Sequence, residues 1–307
     1  MSNGIDKLLQ NIQSVIIGKD ESIKLLVVSL LAKGHLLIED TPGLGKTILA
    51  RALSQSISGR LRRVQCTPDL LPSDITGVSI YNEKERNFEF KPGPIFANIL
   101  LVDEINRTTP RTQSSMLEAM EEHQVTADGK TYKLPSPFMV IATQNPLEYH
   151  GTYPLPEAQL DRFFMRISMG YPSIDEEVKI MQMQEKTHPI ENLKPVISTE
   201  QLIELQKQVA EIKIDTLVLE YIASIMHGLR EHNSLAYGAS PRGSLALMHA
   251  SKAFALIEKK DFVDPDIIKK IAIPVLSHRI AVKPQYISSV TNEDIVADVL
   301  AKTKVPK

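Results

Sequence analysis

Residues 35–47 read His35-Leu36-Leu37-Ile38-Glu39-Asp40-Thr41-Pro42-Gly43-Leu44-Gly45-Lys46-Thr47, and helical spacing continues from Thr47 to Ser58. An apolar run, a loop with two glycines and a helix opening on Lys-Thr form the strand, loop and helix that wrap a nucleoside triphosphate. Gly43 and Gly45 let the loop curl with its N–H groups inward, and the helix N-terminus adds partial positive charge to the same concavity. Lys46 is expected to reach the β- and γ-phosphates, and the Thr47 hydroxyl to hold Mg²⁺. A lysine in the first turn of a helix opposes the helix dipole, a conflict that a bound anion removes. The expected nucleotide-contacting set here is Pro42, Gly43, Leu44, Gly45, Lys46, Thr47 and Ile48. Asp40 stands where the G-x-x-x-x-G-K-T pattern has its first glycine; with Gly45, Lys46 and Thr47 intact, phosphate binding is expected to survive the change.

The chain has 307 residues, enough for one large or two smaller domains, and a net charge of −2 with neither half strongly basic. That balance argues against a nucleic-acid platform. No N-terminal stretch has the flanks of a targeting signal, and the longest apolar run, around Leu25 to Ala32, is too short to span a bilayer. A cytoplasmic protein without stable membrane insertion is the expectation. Cys66 is the only cysteine, which excludes an internal disulfide and a thiolate metal cluster and favours a buried structural thiol. The eight histidines lack metal-binding spacing, so any metal should arrive with the nucleotide.

Strands expected at 35–39, 61–65, 99–102, 138–142 and 164–168 alternate with helical patterns, which predicts an α/β domain with a parallel sheet over residues 1–170. Past Tyr171-Pro172-Ser173 the chain reads as helices only, at 174–187, 199–211, 216–232, 242–259 and from 265, with Pro274 ending or kinking the last. Ser173 with Glu176, and Ser198 with Gln201, have capping-box spacing. A helical domain over 171–307 follows. Two hairpins interrupt the first domain: Val125 to Leu134, with Asp128-Gly129 at its turn, and Ile80 to Phe90, with a charged turn from Asn82 to Asn87.

Phosphoryl transfer also needs a carboxylate near Mg²⁺ and a group that orients the attacking water. Ile99-Leu100-Leu101-Val102-Asp103-Glu104 supplies both at the C-terminal end of a buried strand, where doubly wound sheets bind ligands. Asp103 is assigned to Mg²⁺ and Glu104 to the water. A second buried strand runs into Thr143-Gln144-Asn145-Pro146; if it lies between the other two, Asn145 sits beside the γ-phosphate, the alternative being a turn-forming Asn before Pro.

Asp103-Glu104-Ile105-Asn106-Arg107, the helix Gln113 to Glu122 ending E-A-M-E-E, A-T-Q-N-P and G-T-Y-P-L-P-E-A-Q-L-D-R-F at 151–163 together resemble the MoxR family of AAA+ ATPases over nearly the whole chain. The resemblance implies an AAA+ P-loop core with sheet order 5-1-4-3-2, a helical lid, and a homo-oligomeric ring, usually a hexamer. It also implies ATP hydrolysis at subunit interfaces to remodel or mature client proteins, often with a von Willebrand factor A domain protein. The two hairpins then match the helix 2 insert and pre-sensor 1 hairpin of that branch; facing a pore or a partner and decorating the sheet edge are the two readings.

Arg162 in L-D-R-F matches the arginine finger, with Arg166 as competitor and an ion pair to Asp161 or Glu157 as the structural alternative. Arg242, after Ser240 as N-cap and Pro241, lies in the first turn of a lid helix, where a cation invites an anion; the resemblance makes it sensor 2, contacting the γ-phosphate. Ile16-Ile17-Gly18 resembles the adenine-holding loop, which adds Gly18 to the nucleotide set. Tyr149-His150 before Gly151 is given no function. A nucleic-acid motor, a metal-chelatase ATPase subunit and a nucleotide-switched scaffold are the competing readings; intact Glu104 and Asn145 argue against the last.

Overall fold

The computed structural model describes residues 3–147, 151–185 and 187–306, so Tyr149 and His150 lie outside the described residues. Five parallel strands, β1 (Leu36–Glu39), β2 (Leu61–Gln65), β3 (Ile99–Asp103), β4 (Met139–Gln144) and β5 (Met165–Ile167), form a sheet of order β2-β3-β4-β1-β5. Read from the other edge this is 5-1-4-3-2, as the resemblance implies. β1, which feeds the phosphate loop, pairs with both β4 and β5. β4 extends to Gln144, beyond the end read from the sequence, because Ile38 and Glu39 continue the ladder opposite Thr143 and Gln144.

Alternate residues of each strand enter different apolar cores, as the two-residue strand period requires. Leu36, Ile38, Ile99, Leu101, Met139 and Ile141 face a core completed by the helices Asn3–Gln13, Asp20–Leu31 and Lys46–Ser56 and continuous with the C-terminal helices. Leu37, Leu100, Val102, Val140 and Ala142 face another core, closed by the helix Pro110–Glu122 together with Leu155 and Phe163. With both faces covered, β3 and β4 carry near-continuous apolar runs rather than alternation.

Both capping boxes form: Ser173 with Glu176 starts the helix Ile174–Met183, and Ser198 with Gln201 starts Thr199–Glu211. Thr216–Glu231 and Pro241–Ile257 follow, and Pro265–Leu276 contains Pro274 within its last turn. Two expectations need correction. The first of these helices stops at Met183, short of residue 187. The C-terminal region is also not helices only: Leu235–Tyr237 pairs antiparallel with Ala281–Val282, a ladder too short to leave a periodic signal, and a further capped helix, Asn292–Lys302, follows it.

The hairpins are Gly77–Asn82 with Asn87–Pro92 and Gln124–Ala127 with Lys130–Lys133. Asp128 and Gly129 both have positive φ, the conformation a tight two-residue hairpin turn needs. Phe90 stacks on Tyr132 with ring centroids 4.1 Å apart, so the hairpins lie against each other.

His35, just before β1, is fully buried between the sheet and the helix Pro110–Glu122. Its Nδ1 accepts the Val140 N–H at 2.9 Å, so the proton sits on Nε2, which donates to the Met120 carbonyl at 3.1 Å. Burial, chiefly, lowers its pKa to about 4. Because the folded pKa lies below the ordinary value of 6.5, the unfolded chain takes up the proton first; stability contributed by neutral His35 is complete above about pH 6.5 and is lost as pH falls toward 4. Denaturant unfolding should show stability declining across that window by up to about 3 kcal/mol, with the decline reduced in His35→Gln. An unchanged pH profile in that variant would assign the loss to other groups.

Candidate nucleotide site

The phosphate loop folds around two left-handed glycines, Gly43 at φ +88° and Gly45 at φ +83°, with Gly45 capping the helix Lys46–Ser56. Neither crowds a neighbour, so the backbone conformation alone demands glycine there. Lys46 Nζ donates to the Asp40 and Thr41 carbonyls at 2.7 and 3.2 Å. Partial burial lowers its pKa, with Asp40, Asp103 and Glu104 opposing that shift.

Asp40 turns away from the loop interior. Its carboxylate accepts the Ser168 hydroxyl at 2.7 Å, the Met169 N–H, and the Gly170 N–H at 3.4 Å. The residue that replaces the usual glycine therefore fastens the phosphate loop to the chain leaving β5.

Two cavities flank this loop and share Gly43, Gly45 and Ile48. One, about 300 Å³, is lined by Pro42, Lys46, Thr47, Arg63, Gln65, Asp103, Glu104, Thr143 and Asn145 as well as the shared residues. The other, about 290 Å³, is mainly apolar, with Ile16, Ile17, Leu44, Met169, Pro172 and Ile180 among its walls. The pair suits a triphosphate on one side and a base on the other. Gly18 lies beside the apolar cavity without lining it. Its φ is +73°, and a side chain there would collide with Glu176, so it shapes the loop that presents Ile16 and Ile17.

In the polar cavity Asp103 is buried, accepting Arg63 Nε at 2.6 Å and the Thr143 hydroxyl at 3.3 Å. The Thr143 hydroxyl also accepts the Glu104 N–H at 2.9 Å. The Glu104 carboxylate accepts from Gln65 at 2.8 Å and pairs with Arg107 at 3.2 Å. Glu104 has φ +57°, a left-handed conformation unusual for a non-glycine residue, and it turns the chain from β3 into the Ile105–Arg107 turn. Asn145 lines the cavity while its Oδ1 accepts the Leu147 N–H at 3.1 Å, so it is both a cavity residue and a turn-former. Thr47 and Asp103 bring a hydroxyl and a carboxylate to one cavity, a hard-oxygen pair that fits Mg²⁺.

The arginines lie elsewhere. Arg162 and Arg242 are absent from the walls of both cavities, and both pair with Glu121 at the end of the helix Pro110–Glu122. Neither Asp161 nor Glu157 is the partner of Arg162. Asp161 is held by Arg279 and by Ser240, whose hydroxyl donates to it at 3.0 Å instead of capping its own helix. Arg166 is partly exposed, paired with Glu39 at 2.9 Å and with Glu293, and lines a cavity of about 510 Å³ between β5, the helix Asp20–Leu31 and the C-terminal helices. That larger cavity lies away from the phosphate loop and its Asp103-Glu104 wall.

Residues 35–165 match the ATPase family associated with various cellular activities (AAA), and 227–299 match the AAA lid domain. Chaperone MoxR1 of Mycobacterium tuberculosis is 36% identical over 97% of this chain and 81% of its own. The chain belongs to the MoxR family of AAA+ ATPases. An uncharacterized Bacillus subtilis protein, YeaC, is 52% identical over 98% of this chain and 95% of its own. A solved Cytophaga hutchinsonii chain, described as a candidate ATPase, superposes with a TM-score of 0.93 at 35% identity, covering 100% of this chain and 96% of that one.

In this MoxR-type site the sequence reading missed Arg63, Gln65, Thr143, Glu121 and Arg279. Arg63 and Gln65 sit on edge strand β2 among exposed residues, and the contacts of Arg63 and Thr143 with Asp103 depend on strand pairing. Replacing Lys46 with Ala removes the cation that contacts the loop carbonyls and should weaken ATP binding by at least about tenfold. Titration of ATP checks this, and unchanged affinity would refute the phosphate-loop assignment.

Proposed function

We propose that this MoxR-family ATPase hydrolyses Mg²⁺-ATP in a homo-oligomeric ring, most simply a hexamer, and uses the cycle to remodel or mature partner proteins. The observation that carries the shared-site part is the separation of the arginines from the nucleotide cavities of their own chain. Arg63, the arginine that does line the polar cavity, is held by Asp103, so in this reading the further cation that stabilises charge on the γ-phosphate comes from a second copy.

Within one chain the loop N–H groups from Gly43 to Thr47 hold the phosphates, and Lys46 turns from the Asp40 and Thr41 carbonyls to the β/γ-phosphates. Glu104 polarises the attacking water, fixed through its backbone by Thr143 and through its carboxylate by Gln65. Asn145 holds that water from the neighbouring strand tip. Thr47 and Asp103 would hold Mg²⁺, which would supply charge neutralisation on the phosphates. Arg162 from the next copy meets the γ-phosphate, and Arg242, held on the same carboxylate, approaches from the same copy. Arg166 is less exposed than Arg162 and is held by two carboxylates, Glu39 and Glu293, which favours Arg162 as the finger.

Remodelling rests on the kinship with a protein named a chaperone. A von Willebrand factor A domain protein is the expected co-worker, and the cytoplasm the expected compartment; among the described residues no helix is long and apolar enough to cross a membrane. The near-neutral charge opposes a nucleic-acid motor. Single-stranded DNA should therefore leave the ATPase rate unchanged at physiological salt, and strong stimulation would overturn the remodelling reading.

Glu104→Gln keeps the shape but removes the water-polarising carboxylate. ATP binding should persist while turnover falls on the order of 100-fold, and wild-type turnover would place the base elsewhere. Arg162→Ala should bind ATP and hydrolyse it roughly 1000-fold more slowly. Mixing it with Lys46→Ala should restore activity at interfaces that combine an intact loop with an intact arginine. Co-assembled rings without recovery would reject the shared site, whereas recovery with Arg166→Ala in place of Arg162→Ala would move the finger to Arg166.

A further inference from the structure

Two arginines from different parts of the chain meet on one carboxylate. Arg162 Nε lies 3.3 Å from Glu121 Oε2, and Arg242 Nη2 bonds Glu121 Oε1, so each guanidinium takes its own oxygen. All three side chains are partly exposed.

Local electrostatics explain why these residues gather. Glu121 sits in the last turn of the helix Pro110–Glu122, at the negative end of its dipole, and that turn contains no basic residue. Arg242 sits in the first turn of Pro241–Ile257, at the positive end of that dipole. Each charge is at the unfavourable end of its own helix, and each relieves the other. The anion that the position of Arg242 invites is Glu121 in the isolated chain. Two guanidiniums repel at short range, and a carboxylate between them makes their proximity tolerable.

The backbone beneath is fixed as well. Arg279, almost wholly buried, bonds the Asp161 carboxylate, the Asp161 carbonyl at 2.7 Å and the Phe163 carbonyl at 2.7 Å, enclosing Arg162 between its anchored neighbours. Asp161 also accepts the Ser240 hydroxyl, beside Arg242 in the chain. Both arginines are therefore carried on segments joined to each other, with Glu121 setting the spacing of their charged ends.

We propose that Glu121 is a positioning residue that holds Arg162 and Arg242 as one two-pronged clamp for the terminal phosphate of the nucleotide bound by a second copy. This rests on the shared-site reading above. The carboxylate presents its two oxygens to the arginines as a phosphate presents two of its own, so the clamp is formed before the phosphate reaches it.

The test uses the full chain, with ATP turnover, ATP affinity, ring assembly by sizing and thermal unfolding measured for Glu121→Gln. The expected result is a folded, assembling protein with ATP affinity within about twofold of wild type and kcat lowered roughly 10- to 100-fold. Mixing Glu121→Gln with Lys46→Ala should restore activity, because the defect belongs to the arginine-donating side. A purely structural role would not be rescued by a neighbour with a dead phosphate loop. If Arg162→Ala is rescued by Lys46→Ala but Glu121→Gln turns over at or above the wild-type rate, the positioning role is wrong while the shared site stands. A slow Glu121→Gln that is not rescued in co-assembled rings would also overturn it. Failure of the Arg162→Ala mixture removes the shared site, and this proposal with it.

Discussion

The buried carboxylate of Asp40 is the contact on which the architecture of the site depends. It closes the end of β1 against Ser168, Met169 and Gly170, fixing how the chain leaves β5. Met169, Gly170 and Pro172 then wall the apolar cavity, and the helix Ile174–Met183 places Ile180 opposite Ile16 and Ile17. Hydrogen bonds to an ionised group contribute about 1.5–3 kcal/mol each when the alternative is a bare buried charge. A glycine at this position would lose these contacts to the segment that walls the apolar cavity.

The α/β part and the C-terminal helices are joined by further charged contacts at chosen points. Arg279 penetrates to the Asp161–Phe164 segment, and Arg166 bridges Glu39, beside Asp40, to Glu293 of the final helix. Of the two, only Arg279 is deeply buried, and removing its partner Asp161 would leave that charge unpaired away from water, whereas the Arg166 pairs are partly exposed. These ties lie where the C-terminal helices meet the start of the phosphate loop and the arginine-bearing segment, over a continuous apolar core.

Cys66 illustrates how burial settles a chemical role. The thiol lies among the apolar residues under β2, and burial together with the negative Asp103 and Glu104 pushes its pKa up to about 12. It is held as a neutral, unreactive group close to Asp103 and Glu104.

The sequence by itself determined the parts that depend on local pattern. Glycines at 43 and 45 before Lys46-Thr47, the apolar run into Asp103-Glu104, the Asp128-Gly129 turn and the Ser173 and Ser198 capping boxes each need only neighbours a few residues away, so the phosphate loop, hairpins and most helices were legible. The family resemblance added the strand order. Tertiary structure alone decided which distant charges meet: Asp40 with 168–170, Arg63 and Thr143 with Asp103, and Glu121 with Arg162 and Arg242. The reason is physical. Helix caps and turns are governed by φ and ψ over a few residues, whereas an ion pair between residues 121 and 242 is set by how the helices carrying them pack, and no local periodicity encodes that distance.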